Sequence, residues 1–145
     1  MGGPLGNENV AGRIQHSEGS IGYVGLEFAR GLGLHMASLQ NKDGNFVLPG
    51  DQAGMAALAA TDLPANLRLF IADPAGPNAY PIVTFSWILL YKKYDDPQKS
   101  KAVHDLFRWC LKDGQNYASE LGYVPLSPNV SSKSLAALGE PGSSD

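Results

Sequence analysis

The chain has 145 residues, with 11 Lys and Arg against 14 Asp and Glu, a formal net charge of −3 and a pI near 5.5. That sign, and the absence of any basic run longer than Lys92-Lys93, exclude a nucleic-acid footprint; 43% apolar against 17% charged residues excludes a disordered acidic chain. The single cysteine, Cys110, excludes an internal disulfide and any multi-cysteine metal site.

Read at face value, the length is that of one compact domain, which buries roughly 68–70% of its unfolded surface. The 17 Gly and 10 Pro, about 19% of the chain against an ordinary ~12%, are spread throughout and imply many turns between short elements. The run Met-Gly-Gly-Pro-Leu-Gly-Asn-Glu at the start has no basic or apolar region of the signal-peptide kind.

In chain order, Asn7 to His16 is expected to form a helix with Asn7 as N-cap, and Val10 and Ile14 on one face. Ser20 to Val24 reads as a strand whose Gly22 permits close backbone contact. Glu27 to Leu32 adds a short helix. His35 to Leu39 and Asn45 to Leu48 read as strands around the turn Asn41-Lys42-Asp43-Gly44, a hairpin signal. Asp51 is placed to cap a helix running to Ala60, with Ala53, Ala56, Ala57 and Ala60 forming a small-residue face. Leu67 to Ala72 reads as a strand, and Asp73 to Pro81 is the densest turn segment. Ile82 to Tyr91 is apolar apart from Thr84 and Ser86. It is expected to be a strand buried on both faces, and it is too short to cross a bilayer.

The strongest helix signal follows. Asp96 is the N-cap, Pro97 takes the first helical position, and Val103, Leu106, Phe107, Cys110 and Leu111 make an i, i+3, i+4, i+7, i+8 stripe. That helix ends near Gly114 or continues through Leu121 to Gly122. Ser127-Pro128 opens a last helix toward Leu138, and residues 139–145 read as a disordered tail. Helices alternating with short strands indicate the α/β class.

No enzyme signature emerges from these residues. His16, His35 and His104 are far apart and lack second ligands at helical spacing. His104 and Cys110 point about 120° apart on one helix, so they form no nucleophile–base pair. Cys110 reads as a buried small hydrophobe, and Phe85, Trp87, Tyr91, Phe107 and Trp109 read as core aromatics. Asp95 and Asp96 are explained by the helix start. The glycines near the N-terminus lack the lysine and hydroxyl of a phosphate loop, and Asn129-Val130-Ser131 is a formal glycosylation acceptor only.

Taken in order, the segments resemble a known family. Gly-Asn-Glu-Asn-Val-Ala-Gly-Arg-Ile (6–14), Glu-Gly-Ser-Ile-Gly-Tyr-Val (18–24) and Leu-Gln-Asn-Lys-Asp-Gly-Asn-Phe-Val-Leu-Pro (39–49) are similar to the second half of periplasmic phosphate-binding proteins, the substrate-binding components of bacterial phosphate ABC importers. The resemblance continues through residues 79–92, 96–103, 107–115 and 121–130. It implies parts of a type II periplasmic-binding-protein fold, in which three-layer lobes joined by hinge crossings hold phosphate between them. Residues 1–80 would be the C-terminal part of the second lobe, with the return crossing near Tyr80-Pro81, and 81–138 the returning part of the first.

The resemblance also implies a protein that is not an enzyme and needs no cofactor or metal. Its partners would be inorganic phosphate and the permease subunits, and the complete protein would be periplasmic or at the cell surface. The family's Arg-x-x-x-Ser-Gly-Thr segment has no counterpart here, the only threonines being Thr61 and Thr84. No phosphate ligand is therefore carried onto Arg13, Ser20 or Thr84, and the phosphate-binding residues are expected upstream of Met1. Binding of another oxyanion, molybdate or sulfate, and a stand-alone scaffold or interaction protein without a ligand site stand as the alternatives.

Overall fold

A computed structural model describes residues 6–59 and 61–139. The first helix, α1 (Gly6–His16), carries Glu8 in its first turn and Arg13 and His16 in its last, as the helix dipole favours. Its apolar face is covered by the next segment. A Cβ built on Gly22 would lie 2.8 Å from Ile14 Cδ1 and 3.1 Å from Val10 Cγ1, so a side chain there would have to push the apolar face of α1 aside. Asn7 is not the N-cap that its residue type suggests. It lies inside the first turn, and its Oδ1 accepts a hydrogen bond from the Gly25 N–H at 3.2 Å. That bond ties α1 to the start of α2 (Leu26–Gly31).

The hairpin is present but short, with β1 (Leu39–Gln40) antiparallel to β2 (Phe46–Val47) and Leu39 opposite Val47. Asn41 organises it from within. Its side chain is 5% exposed; Oδ1 accepts from the Asp43 and Asn45 N–H groups, and Nδ2 donates toward the carbonyls of Gly76, Pro77 and Ala79, each at 3.1 Å. Asp73 Oδ1 accepts from Lys42 N–H and Asp43 Oδ2 from Gly76 N–H. The hairpin tip and the 73–81 turn segment are thus clasped together by side chain-to-backbone bonds.

The helix α3 (Asp51–Ala59) buries Ala53, Gly54, Ala57 and Leu58, so the small-residue face packs inward as its spacing requires. A Cβ on Gly54 would meet Val124 Cγ2 at 2.5 Å. Asp51 is the first helical residue rather than a cap, and its carboxylate pairs with Arg30 at 2.9 Å. The expected helix end at Ala60 lies outside the described residues.

Toward the C-terminus, α4 (Pro97–Leu111) begins as expected, with Asp96 Oδ1 accepting from the Gln98 N–H at 2.8 Å. It stops at Leu111 and gives way to a 3-10 turn, Asp113–Tyr117, so neither the end at Gly114 nor the continuation to Gly122 is realised. Gln115 closes this corner, donating to the Cys110 carbonyl at 2.7 Å and accepting from Leu126 N–H at 2.8 Å. The last helix, α5 (Pro128–Leu138), is capped by Ser127 and packs on α4. Lys133 joins it to Asp62 and to the Leu63 carbonyl. Residues 140–145 of the expected tail lie outside the described residues.

Helices with a small antiparallel sheet agree with the α/β class at its coarsest. The strands differ most from expectation. Ser20–Val24, Leu67–Ala72 and Ile82–Tyr91 form no strand, and His35–Leu39 contributes only its last residue. Ile82–Tyr91 is not buried on both faces: Leu89 is 94% and Tyr91 78% exposed. The cause is the want of a neighbour. Among the described residues, segments 21–24, 35–38, 69–72 and 82–91 make no backbone–backbone hydrogen bond, and a strand exists only where another pairs with it.

The same shortage affects the core. The buried apolar residues among those described are mostly alanines, with Leu58, Leu63 and Val130 the largest, and no large side chain is fully enclosed. The stripe of α4 has no buried member, Cys110 is half-buried rather than buried, and Trp87, Tyr91 and Trp109 are exposed rather than core. The total accessible surface is 10354 Å², against about 7,200 Å² for a compact chain of this mass.

Candidate functional site

A cleft of about 440 Å³ opens between the first three helices and the segments that follow them. Ile14 of α1 and Ala29 of α2 form one wall, Gly54 of α3 and Val124 another, and the strand-less segments 20–24, 34–37 and 80–83 the rest. Its lining is apolar apart from the Ser20 hydroxyl, the His35 imidazole and the Tyr23 and Tyr80 phenols, and among the described residues it includes no Lys, Arg, Asp or Glu. Burial pushes the Tyr80 phenol above the ordinary tyrosine pKa. An inorganic anion in this cleft would meet no Lys or Arg side chain. Removing a dianion from water without charge-assisted donors is strongly unfavourable.

The three side chains nearest in type to anion ligands are not brought together. Ser20 lines the cleft, whereas Arg13 and Thr84 do not. Ser20 Oγ donates to the Ser17 carbonyl at 2.6 Å, and Thr84 Oγ1 to the Phe85 carbonyl at 3.3 Å. Arg13 is exposed on α1.

Helix N-termini, the other ready source of anion-binding N–H groups, carry carboxylates instead. Glu8, Glu27 and Asp51 occupy the first turns of α1, α2 and α3, and Asp96 caps α4. An incoming anion at these ends would be repelled. The N-terminus of α5 is engaged by Ser127, whose Oγ accepts from Val130 N–H.

The histidines stay apart in role. His16 Nδ1 lies 2.8 Å from the Gly12 carbonyl, His35 lines the cleft, and His104 Nδ1 is enclosed without a hydrogen-bond partner. Among the described residues, no cluster of three His, Cys, Asp or Glu side chains could hold a metal ion. None of the described helices is long and apolar enough to cross a membrane.

Two features were missed from the sequence. The Asn41 clasp had one signal, an Asn at the head of Asn-Lys-Asp-Gly, where its side chain can bond the backbone ahead. The cleft had none, since its walls come from segments as far apart in the chain as Ile14 and Val124.

No protein-family model matches the chain. Individual proteins do. It is 39% identical to the phosphate-binding protein PstS of Xylella fastidiosa (strain Temecula1) over 130 residues, 88% of this chain and 36% of that one. It is 39% identical to the PstS of Pasteurella multocida over 133 residues, 90% of this chain and 39% of that one. With the PstS of Methanocaldococcus jannaschii it shares 32% identity over 92% of its length and 38% of the relative's. The chain spans little more than a third of the length of these relatives. Over nearly all of its own length the chain is similar to phosphate-binding proteins named PstS.

Proposed function

We propose that this chain is the C-terminal portion of the substrate-binding component of an ABC importer for inorganic phosphate. It is not an enzyme, and it works outside the cytoplasm with the importer's permease subunits. The observation that carries this reading is identity of 38–39% to four PstS proteins over 88–90% of the chain. In this reading residues 1–80 belong to the second lobe of a type II binding protein and 81–138 to the first. The complete protein closes its lobes on phosphate and presents the closed form to the permease. The apolar cleft and the carboxylates at the helix N-termini support placing the phosphate ligands in the polypeptide that this chain does not span.

Equilibrium dialysis with labelled phosphate tests the reading. The isolated chain is expected to bind no phosphate tightly. Co-expression with the N-terminal portion of the Pasteurella multocida relative is expected to restore stoichiometric binding that sulfate and molybdate do not compete away. Tight binding by the chain alone, or a restored site that prefers sulfate or molybdate, overturns it.

A further inference from the structure

The dipeptide Asp-Gly occurs twice in the chain, both times after lysine: Lys42-Asp43-Gly44 and Lys112-Asp113-Gly114. It is the aspartyl pair least durable in water. Glycine has no Cβ to hinder its amide nitrogen, so that nitrogen can attack the carboxyl carbon of the preceding aspartate. With the same residue on either side of the aspartate, the two sites have closely matched intrinsic reactivity. Any difference between them belongs to the fold. Both aspartates are exposed, so access of water does not separate them.

Their tethers do. Asp43 sits in the clasp between the hairpin tip and the 73–81 turn segment. Its N–H donates to Asn41 Oδ1 at 3.1 Å and its Oδ2 accepts from Gly76 N–H at 3.1 Å. Gly44 N–H donates to the Asn41 carbonyl at 2.9 Å. The attacking nitrogen and the attacked carboxyl are thus each held by a different partner. Asp113 instead opens the 3-10 turn 113–117, and its carboxylate has no partner among the described residues. Gly114 is the second residue of that turn, where an N–H has no acceptor within the turn, and no other described backbone carbonyl takes it. Packing demands a glycine here: a Cβ on Gly114 would lie 3.2 Å from Trp109 Cζ3, and that ring is stacked on Tyr117. The unhindered nitrogen after Asp113 is therefore built in.

We propose that Asp113-Gly114 is a site of spontaneous backbone isomerisation, and that the clasp protects its twin at Asp43-Gly44. Gly114 N bonds to Asp113 Cγ, and one carboxyl oxygen leaves as water, carrying its own proton and the amide proton. Water then adds to the main-chain carbonyl of the resulting succinimide and breaks its bond to Gly114 N. The chain now runs through the former side chain, and the former main-chain carbonyl is a free carboxylate. One water leaves and one returns, so no co-reactant is needed. The product carries an extra main-chain methylene two residues before Gln115, whose side chain joins the Cys110 carbonyl to Leu126 N–H. That corner between α4 and the segment leading to α5 loosens.

The test ages the 145-residue chain in neutral buffer and maps isoaspartate at each site by electron-transfer fragmentation. The folded chain is expected to accumulate it at Asp113 at least tenfold faster than at Asp43. In urea the two rates are expected to converge, because the local sequence is shared. Asp113→Glu, whose ring closure is far slower, is expected to leave the circular dichroism unchanged and to form no isomer at that position. Exchange of the Leu126 amide is expected to quicken at least threefold in the aged chain and to stay constant in the aged Asp113→Glu chain. Equal rates at the two sites of the folded chain, or a faster rate at Asp43, overturn the proposal. A difference that persists undiminished in urea also overturns it, since the fold would then not be its cause.

Discussion

Asn41 satisfies two backbone N–H groups with its Oδ1 and faces three carbonyls with its Nδ2. Its amide has only two hydrogens to share among them. Asn41→Ala would leave donors and acceptors on both sides of the clasp without partners, in a place mostly closed to water. Urea denaturation should show a loss of about 1–3 kcal/mol. Asn41→Asp should cost more, because a carboxylate would confront the carbonyl oxygens of Gly76, Pro77 and Ala79. Tyr80 gives a test in the alkaline range. Burial raises its folded-state pKa, so the unfolded chain releases this proton first. Its contribution to stability is therefore present in full below the ordinary tyrosine pKa of about 10 and declines as pH rises beyond it. Absorbance titration at 295 nm should contain a late component that Tyr80→Phe removes, together with part of the alkaline fall in the urea midpoint.

At the scale of elements, the helices were legible and the strands were not. Asp96-Pro97 and Ser127-Pro128 mark helix starts because a carboxylate or hydroxyl satisfies a first-turn N–H locally and proline is pre-set for the first position. Both caps are present. Asp96→Ala should cost the first turn of α4 about 1 kcal/mol, seen as roughly fivefold faster exchange of the Gln98 amide, and Asp96→Ser should retain most of the protection. Ile82–Tyr91 carries an equally clear apolar pattern and forms no strand. A helix closes its hydrogen bonds within itself, whereas a strand borrows half of its own from another segment. The hairpin persists because its partner is six residues away and Asn41 holds the turn. The small-residue face of α3 packs inward at Ala53 and Ala57, and between them Gly54, which the spacing did not single out, leaves no room for a Cβ against Val124. The cap assigned to Asn7 failed because its side chain is committed to the distant Gly25 N–H.

For the molecule as a whole, the accessible surface of 10354 Å² and a core built mainly of alanines describe a chain that cannot enclose its own large apolar side chains. Exposed apolar area on this scale binds hydrophobic probes. A solvatochromic dye should brighten strongly on the isolated chain. An isolated chain that stays monomeric and leaves the dye dark would contradict the exposed surface described above. The cleft belongs to this scale as well: none of its bordering segments reads as a site alone, and only their convergence encloses 440 Å³.

The sequence by itself determined what depends on neighbours along the chain: helix starts, the Asn-Lys-Asp-Gly turn, and the ordered segments that resemble PstS proteins. Side-chain caps and turn residues act over three or four positions, so local order suffices to read them. Only the tertiary structure decided which apolar runs find partners and where the cleft opens. Burial and strand pairing are set by what stands opposite a segment in space, and among the described residues no backbone pairs with Ile82–Tyr91.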